Sequence, residues 1–210
     1  VKVRWIAGPV VLLLAGAGLL EACQRHAGTQ PAQAMAAGAV DVGFAQFMRS
    51  HHDQAVVMTQ ILLDHGTTRL AGLARSIQTA QLIEIGEMKG WLLLWDKPLL
   101  PTTRNMDWMQ RSDAPLDAVV IGYLNQCRAS PGGMPGMATS DELNQLRSLD
   151  GEARDQLFLQ LMTHHHQGAL PMAHFTALHA ETPAVRTLAA QMEVQQTEEL
   201  GAMALLSRKR

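Results

Sequence analysis

Two adjacent histidine pairs, His51-His52 and His165-His166, sit among methionines at helical spacing. His51 follows Met48 by three residues and precedes Met58 by seven, so the three share one helix face, with His52 about 100° around the axis. Met162, His165, His166 and Met172 repeat the arrangement 114 residues later. Imidazoles and thioethers without thiolates form a soft donor set that selects copper, above all Cu(I), over Mg²⁺ or Ca²⁺. Imidazole with carboxylate would equally suit Cu(II) or Zn²⁺.

The likeness extends well beyond these positions. Phe44–Trp91 lies over Phe158–Leu206, and after one inserted residue Gln81, Glu84, Gly86 and Met88 meet Gln196, Glu199, Gly201 and Met203. Every His and Met of the first copy, His65 included, has a partner of the same type in the second. An internal repeat of this kind governs the rest of the reading. Methionine at helical spacing ordinarily fills a core, and a lone histidine there is ordinarily a hydrogen-bonded side chain. Adjacent histidines duplicated with their neighbours reverse that expectation. The candidate metal ligands are therefore Met48, His51, His52, Met58, Glu84 and Met88 in one copy, and Met162, His165, His166, Met172, Glu199 and Met203 in the other. Glu84 and Glu199 need a buried partner, which a histidine of the facing helix would supply as well as a metal. His65 and His179 fall near predicted turns and are weaker candidates. Met134-x-x-Met137 and Met106-x-x-Met109 have a spacing that suits copper but give a weak signal. His26, His164, His174 and Met192 have no match in the other copy and read as surface or packing residues.

These side chains need helices to place them. In each copy the apolar stripe keeps 3–4 spacing, breaks at Gly66-Thr67-Thr68 or Glu181-Thr182-Pro183, and resumes. Thr67 or Thr68 could cap the second helix of the first copy, and Pro183 suits a first helical turn. Pro98 and Pro101 end the first hairpin, and Pro171 should kink the long helix of the second. Two hairpins, each with one apolar stripe, would bury those stripes against each other as a four-helix bundle. More than forty residues separate them, so the connection should hold a helix near Asp117–Asn125 and another opened by Ser140-Asp-Glu-Leu143.

Composition agrees. The chain of 210 residues has nine His and twelve Met but two Cys and nine aromatic residues, which excludes a disulfide framework and a cysteine-built zinc site. A net charge of −2 leaves no basic footprint for nucleic acid. Lys2 and Arg4 precede an apolar run from Ile6 to Leu20, the shape of a signal peptide over residues 1–22. Leu20-Glu21-Ala22-Cys23 is similar to a lipobox, which would anchor the chain to a membrane through lipid on Cys23; cleavage after Ala17 or an uncleaved anchor are the alternatives. All three place the folded part outside the cytoplasm, in the periplasm or at the cell surface. Residues 23–40 read as a flexible tether and 41–210 as the folded domain, with copies at about 44–96 and 152–206.

The doubled pattern M-x-x-H-H-x-x-A-x-x-M … Q-x-x-E-x-x-x-M, with Met134-Pro-Gly-Met137 before the second copy, resembles domain-of-unknown-function family three hundred and five, which includes copper-binding proteins of the bacterial cell envelope. The resemblance covers about residues 41–210. It implies an all-α, ferritin-like four-helix bundle and copper binding for tolerance or trafficking, carried over to Met48, His51, His52, Met58 and Met88 and to Met162, His165, His166, Met172 and Met203. Asp53 and Gln54 stand where the second copy has Gln167 and Gly168, and with Pro171 they count against equality of the half-sites.

The expectation is a metal-binding protein, with a metal donor or acceptor protein as partner, and not an enzyme. Two rivals follow. A ferritin-like di-metal oxidase would need Glu-x-x-His on two helices, which occurs nowhere in the chain. A structural or interaction bundle would use the histidines only to satisfy Glu84 and Glu199.

Overall fold

The computed structural model describes residues 36–64, 66–112, 115–130 and 133–208. The expected signal segment, Cys23, His26, most of the tether and His65 lie outside them. Among the described residues the chain is all-α: α1 (Ala39–Asp64), α2 (Ala71–Leu94), a 3₁₀ turn (Asp107–Arg111), α3 (Ala118–Ala129), α4 (Ser140–Ser148), α5 (Gly151–His179) and α6 (Pro183–Arg208). No described helix is long and apolar enough to cross a membrane.

The repeat becomes two hairpins, α1–α2 and α5–α6, which meet chiefly through α1 and α5. Their apolar stripes form two separate core clusters. The first gathers Phe44 and Met48 of α1, Met88 and Leu92 of α2, Met172 and Phe175 of α5, and Val185 and Met192 of α6. The second gathers Met58 and Leu62 of α1, Leu70 and Ile77 of α2, Phe158 and Met162 of α5, and Met203 of α6. Burying each such Met, Leu or Phe contributes about 1.5–3 kcal/mol. Along α1 and α6 the chain runs from the first cluster to the second; along α2 and α5 it runs from the second to the first. Since α2 and α5 point the same way, a short turn cannot join them. The connection must return along the bundle, and at 1.5 Å per residue the 24-residue α2 spans about 36 Å.

Each hairpin grips the turn of the other. Asp41, fully buried in the first turn of α1, accepts from the Thr182 backbone N–H at 3.0 Å and from the Gly38 N–H at 2.7 Å. Asp155, its counterpart on α5, accepts from the Thr68 hydroxyl at 2.6 Å. A carboxylate at a helix N-terminus is favoured by the helix dipole, and here it also ties the halves together.

Local signals place the termini within a residue or two. Thr68 lies in the turn and accepts from the Leu70 N–H at 3.0 Å, while Leu70 itself occupies the N-cap of α2 without a side-chain bond. Pro183 opens α6. Asp117 caps α3, and Thr139, one residue ahead of Ser140, caps α4 in a reciprocal box with Glu142. Helix α5 runs on through Pro171. That proline leaves the Gln167 carbonyl without its helical donor, and the neighbouring Gly168 carbonyl accepts from the Tyr123 hydroxyl of α3 at 2.9 Å.

Candidate metal centre

Between the two apolar clusters all four long helices carry polar side chains: His51 and His52 on α1, Gln81 and Glu84 on α2, His165 and His166 on α5, Gln196 and Glu199 on α6. All eight are buried. The centre therefore lies midway along the bundle, not at one end. Their placement follows from the repeat, because one polar turn falls halfway along each apolar stripe and the antiparallel packing brings the four turns level.

The histidines form two kinds of pair. His52 Nε2 lies 2.7 Å from Glu84 Oε2, and His166 Nε2 lies 2.6 Å from Glu199 Oε2. A carboxylate accepts, so each imidazole donates through Nε2 and turns Nδ1 inward. The other pair joins the halves: the rings of His51 and His165 sit with centroids 3.7 Å apart and planes 36° apart. His51 lies 6.5 Å from His52, and His165 lies 6.3 Å from His166, centroid to centroid.

Six of the eight ring nitrogens have no hydrogen-bond partner: both of His51, both of His165, and Nδ1 of His52 and His166. The side-chain carbonyls of Gln81 and Gln196 are likewise unpartnered. A buried polar atom left so costs about 1–3 kcal/mol, which marks the layer as shaped for something besides packing. Burial, followed by the nearby His52 and His166, holds the pKa of His51 well below the usual 6.5; the Pro135 backbone against it opposes this more weakly. Burial, followed by His51 and its neighbours, does the same to His165. Both rings are therefore neutral near pH 7, the form in which a nitrogen lone pair can bind a cation.

Six methionines border this layer, all fully buried. Met48, Met88 and Met172 belong to the cluster on one side, and Met58, Met162 and Met203 to the cluster on the other. Each trio takes two members from one copy and one from the other. Met203 sulfur accepts from the Thr163 hydroxyl at 3.7 Å. No three or more His, Cys, Asp or Glu side chains among the described residues are disposed to hold an ion. A metal here must draw on the thioethers, and the donor set on the page fits a soft monovalent ion best.

The weaker candidates separate cleanly. His179, the last residue of α5, packs on Phe175 at 4.5 Å. His164 is exposed, exposed His174 pairs with Glu193 at 3.1 Å, and Met192 is core. Met106 and Met109 are buried with Trp108 in the first core cluster.

The loop that contains Met134 and Met137 has a larger role than its spacing predicted. Its Pro135 backbone lies against His51, and its Ala138 is clamped by Gln54 of α1, whose amide donates to the Ala138 carbonyl at 2.9 Å and accepts from its N–H at 2.7 Å. On α5 a Cβ at Gly168 would collide with the Pro135 carbonyl. Gly136 itself has φ +82°, in the left-handed region, and a Cβ there would collide with the His164 carbonyl. The sequence signal for this contact was the difference between Gln54 and Gly168 at one repeat position.

A family model described as Domain of unknown function (DUF305) matches residues 41–206. A DUF305 protein of Streptomyces coelicolor, described as secreted, is 34% identical, with a TM-score of 0.67 over 80% of this chain and 91% of that one. A DUF305 fragment from Deinococcus radiodurans is 27% identical, with a TM-score of 0.63 over 83% and 99%. CopM in an Ag-bound form is 26% identical, with a TM-score of 0.54 over 79% and 93%; CopM in Cu(I)-bound and Cu(II)-bound forms is 24% identical, with TM-scores of 0.56 and 0.58. No curated protein matches the chain.

Proposed function

Because the chain belongs to the DUF305 family and its own doubled histidine motif is built into the fold, we propose that it is an extracytoplasmic copper-binding protein that sequesters or hands on Cu(I) and is not an enzyme. One observation carries the reading: four buried imidazoles with six unpartnered nitrogens, in a layer bordered by six buried methionines. No more than two of His51, His52, His165 and His166 would meet one ion, with thioethers from the two methionine trios completing its shell. Bound copper would supply a soft Lewis acid to these unpartnered donors.

Glu84 and Glu199 act by orienting. Each fixes an imidazole through Nε2 and leaves Nδ1 for the metal, the arrangement by which carboxylates commonly raise the basicity of a ligating histidine. The metal-bound forms of CopM, with silver and both copper states, support a soft cation, and the relative described as secreted supports a place outside the cytoplasm. For the fold we favour the ferritin-like arrangement, supported by the two hairpins and the single long crossover between parallel α2 and α5.

The His–Glu pairs alone would suit a metal-free structural bundle. That reading leaves His51 and His165 with no role, since neither pairs with a carboxylate. Titration of the folded domain with Cu(I) against a competing chelator decides between them. Affinity tighter than micromolar, abolished when the four histidines become alanine, supports copper. Micromolar or weaker binding, unchanged by that replacement, refutes it. Metal that binds the folded state also raises Tm, which gives a rapid first test.

A further inference from the structure

We infer that the groove between α2 and α6 is the port by which a soft cation enters the histidine layer, with Glu84 at its threshold; this rests on the copper-binding reading above. His51 and His52 are wholly buried and His165 and His166 nearly so, so an ion must pass other groups to reach them. Of the layer's eight side chains, the two carboxylates hydrogen-bonded to the histidines keep the largest share of surface, 10% and 11%.

They are not equivalent. Glu84 and exposed Glu87 line the groove from α2, facing Leu188, Gln191 and Gln195 of α6. Glu84 gives Oε2 to His52, and among the described residues nothing hydrogen-bonds its Oε1. Glu199 stands behind Gln195, whose amide donates to its Oε1 at 3.0 Å. The two side chains are about equally exposed; what separates them is that Glu84 lines the groove with an oxygen free, while both oxygens of Glu199 are engaged.

The donors along this path run from hard to soft. A hydrated cation meets the Glu87 charge outside, which raises its local concentration, and next the free oxygen of Glu84. Glu84 already touches His52, whose unpartnered Nδ1 lies deeper, and the thioethers border the layer. A soft ion gains at each exchange and a hard one does not. The other approach, a cleft lined by Tyr123, Gln126, Pro135, Gly136 and His164, is closed by the Pro135–Gly136 backbone seated on α5 and by the Gln54 clamp on Ala138.

A change along a route alters loading and unloading equally and leaves affinity alone, whereas a change in a ligand alters affinity. Stopped-flow loading with Ag(I), unloading into a chelator, and equilibrium affinity are compared for the wild type, Gln191→Lys and Gln126→Lys. Both substituted residues are exposed and touch neither a histidine nor a glutamate of the layer. At low salt Gln191→Lys should slow loading and unloading together by about three- to tenfold, with affinity held within twofold and the effect fading at high salt. Gln126→Lys should match the wild type. Slowing by Gln126→Lys, or wild-type rates in both variants, overturns the port while leaving copper binding intact. Faster unloading at unchanged loading in Gln191→Lys also overturns it, since the groove would then belong to the holding site. Failure of the wild type to bind Ag(I) removes the metal reading and the port together.

Discussion

The two halves of the molecule agree where they face each other and part where they face the connection. Asp41 and Asp155 latch the opposite turns, His52–Glu84 and His166–Glu199 form the same pair, and His51 meets His165 near the axis relating the copies. At the equivalent positions 54 and 168 they do opposite things for one purpose. Gln54 reaches out to hold the Ala138 backbone, and Gly168 has no side chain, so that Pro135 can approach α5. A single loop has no repeat of its own, so the two helices it touches cannot keep the same residue. Glu84 and Glu199 differ for a separate reason, because Gln195 of α6 donates to Glu199 while Ala80 stands at the matching position of α2. The symmetry is broken by the one loop that has no repeat and by single substitutions between the copies.

The largest effect should come from the axis. His51→Ala and His165→Ala should each lower Cu(I) affinity by about a hundredfold, about 2.8 kcal/mol at 1.4 kcal/mol per decade, because each strips the shared centre. The double variant should lose little more, which chelator competition reads directly. Two independent half-sites would instead show half the stoichiometry at undiminished affinity, and would break the comparison. Next is Gly168→Ala. The new Cβ meets the Pro135 backbone, an overpacking cost of about 3 kcal/mol, set against a gain of about 1 kcal/mol in helix propensity. Urea unfolding should show a net loss of about 2 kcal/mol; no loss would mean that the loop does not need the glycine.

Gln54→Ala should cost less, about 1.5 kcal/mol for two amide hydrogen bonds in a half-buried place, read in the same assay. The smallest change is with pH. His51 and His165 have folded pKa values below 6.5, so the unfolded chain takes up protons that the folded chain does not. Metal-free protein should keep its full stability above about pH 7.5 and lose part of it as pH falls through the unfolded value of about 6.5. Thermal melts of His51→Gln and His165→Gln should show equal halves of that loss. Unequal halves would place the asymmetry inside the centre as well as around it.

Much of this was legible in the residues. The offset of 114 paired His51 with His165 and Met48 with Met162, and the 3–4 spacing gave four long helices and their turns. The helix near Asp117–Asn125 was expected from the length of the connection and appears as Ala118–Ala129. Thr139 rather than Ser140 caps α4, because the reciprocal bond with Glu142 needs the acid three residues after the cap. The same offset also pairs Asp41 with Asp155 and Thr68 with Thr182, yet spacing alone does not say that an aspartate binds the turn of the other copy.

Periodicity and repetition are properties of one strand of text, so they suffice to fix which residues share a helix face and which faces are alike. They carry no distance between faces. That Glu84 and Glu199 would find histidines, that His51 and His165 would stack with their nitrogens unpaired, and that the layer would lie between two methionine-rich clusters all depend on how the hairpins pack. The physical reason is direction: α2 and α5 run parallel, so the long connection must return along the bundle and lay its Met134–Ala138 loop over the axis. Only that closure decides which face of the bundle is covered, the one that α1 and α5 share.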